Sequence, residues 1–227
     1  VVIPPAAAVE AASPGAIPES AQQLIVVSAV VSVPARSIAT FRTYDRAGPS
    51  AAWHQIRPAI PAEIGGAGLA SNRVEGDRTT PTGVYAIGAE IYGNDPRPVG
   101  LHLPYHRLVC GDWWDEDRYS AQYNTFVHVP CGTTPPFASE SEALWTETAA
   151  YPYFAVIEFN VDPILGGRDA PGSGIFLHAW VGGPTNGCVA VPLGDLLATL
   201  RWLDPHKHPV IEIGTASALA PLSRSPS

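Results

Sequence analysis

Gly174 to Pro192 reads G-I-F-L-H-A-W-V-G-G-P-T-N-G-C-V-A-V-P, and the rest of the chain is organised around it. An apolar run, Ile175 to Leu177, delivers His178. A loop of turn formers (Gly182, Gly183, Pro184, Asn186, Gly187) delivers Cys188, and a second apolar run, Val189 to Val191, leaves it. The pattern predicts strand, turn, strand, with the thiol at the end of the turn and the imidazole within reach. A thiol beside an imidazole yields a thiolate at neutral pH, and the thiolate is a nucleophile. Gly187 permits a tight turn and close approach to the main chain. The backbone N–H groups from Asn186 through Gly187 to Cys188 are candidates for an oxyanion hole. No Asp or Glu lies between 178 and 188, so the group that orients His178 comes from elsewhere or is a backbone carbonyl. The plainer alternative is a buried cysteine beside a buried, satisfied histidine.

Composition narrows the class. The chain has 227 residues, 46% hydrophobic and 15% charged, which fits one domain of ordinary size with tails. Its 24 prolines favour turns and short strands over long surface helices. The net charge is −8, with no basic cluster, which argues against nucleic acid as a partner. No apolar run approaches the roughly 20 residues of a membrane span. There is no methionine, and the opening is Ala/Pro-rich, as in the leading linker of an exported protein. Of three cysteines, Cys110 and Cys131 share a loop-rich segment, and Cys188 stands apart. A Cys110–Cys131 disulfide with one free thiol is the economical reading; three reduced, buried thiols is the other. No C-x-x-C pair exists, and Pro104 between His102 and His106 spoils that pair for zinc, so no metal or other cofactor is expected.

Residues 1–20 read as a linker, 21–214 as the folded unit and 215–227 as a polar tail. Leu24 to Val33, Ser37 to Tyr44 and Trp53 to Ile60 read as the first strands of an antiparallel sheet. A long loop from Ile64 ends in Thr80-Pro81-Thr82-Gly83, a turn before a strand at Val84 to Gly88. Arg73, Glu75 and Asp77 lie together in that loop, either hydrogen-bonded internally or touching substrate. Residues 92–135 are irregular and aromatic (Tyr92, Tyr105, Trp113, Trp114, Tyr119, Tyr123, Phe126), as in a segment that walls a cleft or forms a small core of its own. A short helix is predicted at Ser139 to Trp145. A strand follows at Tyr153 to Phe159. Leucines at 193, 196, 197, 200 and 203 predict an amphipathic helix stopped by Asp204-Pro205. A last strand spans Val210 to Ile213. The fold class is mainly β, a sandwich or partly closed barrel of mixed sheets with one or two peripheral helices. Tyr105, Trp180 and Thr185 are expected to line the cleft. Trp180 lies two past His178 and so shares its strand face.

The segment I-F-L-H-A-W followed by P-T-N-G-C-V-A-V-P resembles the catalytic motif of L,D-transpeptidases of the YkuD type, exported bacterial cysteine enzymes that cross-link peptidoglycan. R-V-E-G-D-R-T-T-P-T-G-V-Y, at 73–85, resembles the upstream signature of the same family. Asn186 stands where many members carry histidine, and Ala190 where many carry arginine. The resemblance covers about 20–214. It implies peptidoglycan stem peptides as partners, Cys188 as nucleophile, His178 as base, and carbapenem-type β-lactams as covalent inhibitors. It places the protein in the cell envelope. The competing readings are a cysteine peptidase or amidase of other specificity, and a cell-wall-binding module without activity.

Overall fold

The computed structural model of the chain describes residues 16–29, 37–49, 51–138, 140–217 and 219. The N-terminal part of the Ala/Pro-rich linker, the end of the first predicted strand at 30–33, Ser139 and most of the polar tail lie outside the described residues.

In chain order the strands are β1 (Gln23–Ala29), β2 (Ile38–Asp45), β3 (His54–Gln55), β4 (Ile60–Glu63), β5 (Leu69–Ala70), β6 (Thr80–Pro81), β7 (Gly83–Gly93) and β8 (Tyr105–Arg107). They continue as β9 (Asp112–Asp115), β10 (Thr125–His128), β11 (Glu142–Ala143), β12 (Phe154–Ile157), β13 (Phe176–Ala179), β14 (Val189–Val191) and β15 (Val210–Thr215). One α-helix, α1 (Leu193–Trp202), lies between β14 and β15. Eight strands close a barrel in the order β1, β15, β7, β12, β13, β14, β4, β2, with β2 pairing back onto β1. Closure leaves no edge among these eight strands. The barrel is mixed: β1 with β15 and β13 with β14 run parallel, and the other neighbours are antiparallel.

Alternation along the strands builds the interior. Ile25 and Val27 of β1, Phe41 of β2, Ala155 and Ile157 of β12, Leu177 of β13, Val189 of β14, and Ile211 and Ile213 of β15 fall in one buried cluster. Leu196, Leu200 and Leu203 enter the same cluster, each fully buried. A ten-residue helix is marginal by itself, so these three leucines, roughly 2–3 kcal/mol each, hold it.

The outer face of β12 and β13 is also buried, which is why β13 carries no polar alternation except His178. Phe154, Val156 and Phe176 point outward there and pack beneath Leu108, Trp114, Leu144 and Tyr151. The covering residues come from the long segment between β7 and β12. That segment contains a three-stranded sheet, β10-β9-β11. The Cys110–Cys131 disulfide joins the chain just before β9 to the chain just after β10, and Cys188 is the free cysteine. The aromatics of this segment build cores on its two sides, and none of the seven named above lines the Cys188 cavity. Trp113 and Phe137 form a small separate core with Val127 and Val129, while Trp114 faces the barrel against Phe176.

The helix expected at Ser139 to Trp145 does not form. Glu142 and Ala143 pair with Trp114 and Trp113 as β11, and Leu144–Thr146 make one 3-10 turn. Burial of Leu144 and edge contact of Trp145 on Trp113 outweigh the local capping pattern. Among the described residues there is one α-helix, and none is long and apolar enough to cross a membrane.

Candidate active site

The parallel pairing of β13 and β14 decides the site. Leu177 registers with Val189 and His178 with Ala190, so Leu177 and Val189 point into the barrel together. Phe176, His178, Cys188 and Ala190 therefore share the outer face, with Cys188 two positions along from the partner of His178. Parallel neighbours usually need a crossover of a dozen or more residues. Here Trp180 to Cys188 manages it because the loop is stitched to the chain after β4. The Thr185 amide donates to Ile64 O at 3.0 Å, and the Gly66 amide donates to Thr185 O at 2.9 Å.

The turn that carries Cys188 is fixed from both sides. The Cys188 carbonyl accepts from the hydroxyl of Thr185 at 2.7 Å and, more weakly, from Thr80 at 3.4 Å. The Thr80-Pro81 signature thus supports the cysteine from behind. Gly187 adopts φ +144°, and a Cβ there would lie 2.9 Å from Thr79 O, so glycine is required. The Gly187 amide already donates to Thr185 Oγ1 at 3.2 Å.

Cys188 and His178 open onto one cavity of about 520 Å³. Trp180, Thr185 and Asn186 also line it, as does Ala190. Tyr105 does not: its hydroxyl donates to the carbonyls of Gly93 and Asp95, and its ring packs by Tyr153. The cleft assignment of Tyr105 is therefore corrected. β8 pairs with β7 away from the cavity and carries Tyr105 with it.

His178 Nδ1 lies 2.8 Å from its neighbour's carbonyl, Ala179 O. A carbonyl only accepts, so Nδ1 carries the proton and Nε2 is the basic nitrogen. Tyr151 packs edge-on against the imidazole, with ring centroids 5.4 Å apart. The thiol is held as well: Cys188 Sγ donates to Gly174 O at 3.3 Å and accepts from the Phe176 amide at 3.4 Å.

The resting charge state differs from the one the spacing predicts. Burial pushes the Cys188 thiol up to about 12, with the Glu142 and Glu116 carboxyls adding to the shift. Burial lowers His178 to about 4. Cys188 as a residue is only 8% exposed. The resting pair is a neutral thiol and a neutral imidazole. At 1.36 kcal/mol per unit, separating the charges before substrate arrives costs roughly 10 kcal/mol, less their mutual attraction. Sequence spacing shows that two groups meet; it does not show how much water is removed from them.

Several site residues escape sequence reasoning. Glu142 accepts the Tyr151 hydroxyl at 2.8 and 3.0 Å. Desolvation raises its carboxyl to about 7. Glu116 is raised well above the usual carboxylate range by burial and by Glu142 and Glu75. Asn124, in a left-handed conformation, accepts from Trp114 Nε1 and from the Gly174 amide, both at 3.0 Å. It thereby seats the carbonyl that holds the thiol. In the upstream signature, Glu75 accepts from Tyr123 and from Ser173 Oγ, the latter at 2.6 Å. Asp77 accepts from the amides of Val74 and Thr79 at 2.9 and 2.8 Å. Asp77 ties the loop together internally, and Glu75 ties it to Tyr123 and Ser173 outside it. Among the described residues no group of three His, Cys, Asp or Glu side chains could hold a metal ion.

The raised Glu142 carboxyl makes a stability prediction. Its folded value lies above the ordinary 4.5, so the unfolded chain releases the proton first as pH rises, and the fold weakens between about 4.5 and 7. Glu142→Gln removes that loss and still accepts from Tyr151. Urea unfolding across this range is expected to show the variant gaining roughly 2–3 kcal/mol on the wild type by pH 7. A pH-independent difference would contradict the assigned environment.

The chain is a closed mixed barrel with His178 and Cys188 on its outer face, under a strand-bearing insertion. The family model for the YkuD L,D-transpeptidase catalytic domain matches residues 29–212, and the chain belongs to that family of cell-wall enzymes. The family acts on peptidoglycan peptides and is acylated by β-lactams. No curated protein and no solved structure matches the chain.

Proposed function

We propose that the protein is an exported cysteine acyltransferase acting on peptidoglycan stem peptides, with residues 21–214 as its catalytic domain. The observation that carries this reading is the shared cavity of Cys188 and His178, with the imidazole oriented by Ala179 O. The Cys110–Cys131 disulfide and the Ala/Pro-rich opening support export.

The donor is a stem tetrapeptide with an L-centre to D-Ala bond. The Cys188 thiol gives its proton to His178 Nε2 as the sulfur attacks the L-centre carbonyl. The two events are coupled, because the charge-separated pair is too costly beforehand. The developing oxyanion takes backbone N–H groups at Asn186 to Cys188, and the Gly187 amide joins by giving up its long bond to Thr185. The tetrahedral centre collapses, the carbon–nitrogen bond breaks, and His178 returns the proton to the leaving D-Ala amine. An acyl-thioester remains on Cys188. A second stem's side-chain amine resolves it to a cross-link, or water resolves it to a carboxylate. Glu140 and Glu147 on the cavity wall favour a cationic acceptor approaching from that side.

Incubation with an L,D stem tetrapeptide is expected to release D-Ala, read by mass spectrometry, while an all-L tetrapeptide stays intact. Cleavage of the all-L peptide alone would replace this reading with a cysteine peptidase of other specificity.

A further inference from the structure

Arg73, in the upstream signature loop, reaches the turn before Cys188, and two of its nitrogens find no hydrogen-bond acceptor there. It is 6% exposed, and its Nε and Nη1 are sealed from solvent with no hydrogen-bond acceptor. The nearest carboxylate, Asp77, stands 3.7 Å from Nε, and its oxygens are already taken by Val74 and Thr79. Glu75, two residues on, is occupied by Tyr123 and Ser173. A guanidinium kept this dry, with one long ion pair and two nitrogens lacking an acceptor, is costly unless a ligand adds to it.

Its position says which ligand group. The guanidinium lies over Gly172, where any Cβ would overlap Nη1, and Nη2 comes within 3.3 Å of where a Cβ would stand on Gly187. Gly187 is the residue before the nucleophile, and Arg73 lines the cavity with Cys188. Phe159 closes the far side of the guanidinium, its ring centroid 5.4 Å from Cζ. With Nε and Nη1 sealed, Nη2 is the nitrogen left to meet a ligand on the cavity side, and a carboxylate is a group that takes a charge-assisted hydrogen bond from it.

We propose that Arg73 is the residue that binds a carboxylate of the stem peptide beside Cys188, selecting donors that carry it. This rests on the proposed substrate class. Two carboxylates lie near a scissile L–D bond: the terminal α-carboxylate of the leaving D-residue, and a carboxylate borne on the side chain of the L-centre residue. Both have the chemistry that answers Arg73.

The test uses the full chain carrying Cys188→Ala, so that binding is read without turnover. Calorimetric titration compares three ligands: the tetrapeptide acid, its terminal amide, and the peptide with the side-chain carboxylate amidated. One amide is expected to bind roughly 30-fold or more weakly than the acid, and which one identifies the carboxylate. Adding Arg73→Gln should bring acid and amide together, and Arg73→Lys should restore part of the difference. The comparison of ligands on the chain with Arg73 intact holds even where a substitution at 73 impairs folding. Equal affinities of all three ligands, no binding of the acid, or a preference that survives Arg73→Gln in a folded chain would each overturn the assignment. Turnover of stem peptides by the wild type, with equal acid and amide affinities, removes the role of Arg73 alone. Absence of turnover and of any adduct on Cys188 removes the enzyme reading, and acid-selective binding would still report on Arg73.

Discussion

Cys188→Ala is expected to lower D-Ala release from a stem tetrapeptide by about 10⁴-fold or more while leaving the barrel folded. The size follows from covalent catalysis: without the sulfur there is no acyl-thioester, and what remains is positioning and the backbone donors. The fold should tolerate the change. Cys188 lies at the margin of the outer cluster, and the contacts that set its turn are made by its carbonyl, to Thr185 and Thr80. Its sulfur makes only two long hydrogen bonds. Thermal unfolding monitored by circular dichroism should therefore move by a few degrees at most. A variant that melts like the wild type and retains turnover would show that another group is the nucleophile. His178→Gln should fall nearly as far, since Nε2 is the proposed acceptor of the thiol proton.

The second large effect is expected at Gly174, which sequence reading passes over as the start of the strand. Its φ is +59°, its amide is held by Asn124, its carbonyl receives the thiol proton, and a Cβ would overlap Glu116 Oε1. Gly174→Ala must displace a buried carboxyl and strain the backbone together, at about 1–3 kcal/mol for the conformation alone. The carbonyl that positions Cys188 moves with it. Turnover is expected to drop on the order of 100-fold, since misplacing a reacting group by about 1 Å costs that much. The drop should fall on kcat more than on KM, because the thiol is misaligned and the cavity walls stay in place. Steady-state kinetics separates the two. An unchanged kcat would mean the Gly174 carbonyl has no part in presenting the sulfur.

Much of the barrel was legible because its strands carry local signals. The continuous apolar run of β1 and the leucine repeat of α1 each report one element, whereas Thr80-Pro81, read as part of a turn, pairs with Leu69–Ala70 as β6, and β7 begins at Gly83. The pair His178 and Cys188 was legible because both sit within nineteen residues of one motif. The rest depended on non-local pairing. That β13 and β14 run parallel, which sets the two side chains on one face, is decided by strand order around the barrel. Glu142 and Tyr151 reach the site from the insertion, about thirty to forty residues before it, and nothing in their neighbours announces that. The same long-range burial changed β11 from helix to strand and moved the charge state of Cys188 away from the thiolate. Ala190, the register partner of His178, lines the cavity, and Arg73 reaches the same cavity from the signature loop.

The most direct test of the account is the intact mass of the protein after exposure to a carbapenem, followed by peptide mapping. The account predicts a single added inhibitor mass located on Cys188, formed by the wild type and absent from Cys188→Ala. An unmodified wild type that is shown to be folded, or an adduct on any other residue, would contradict it.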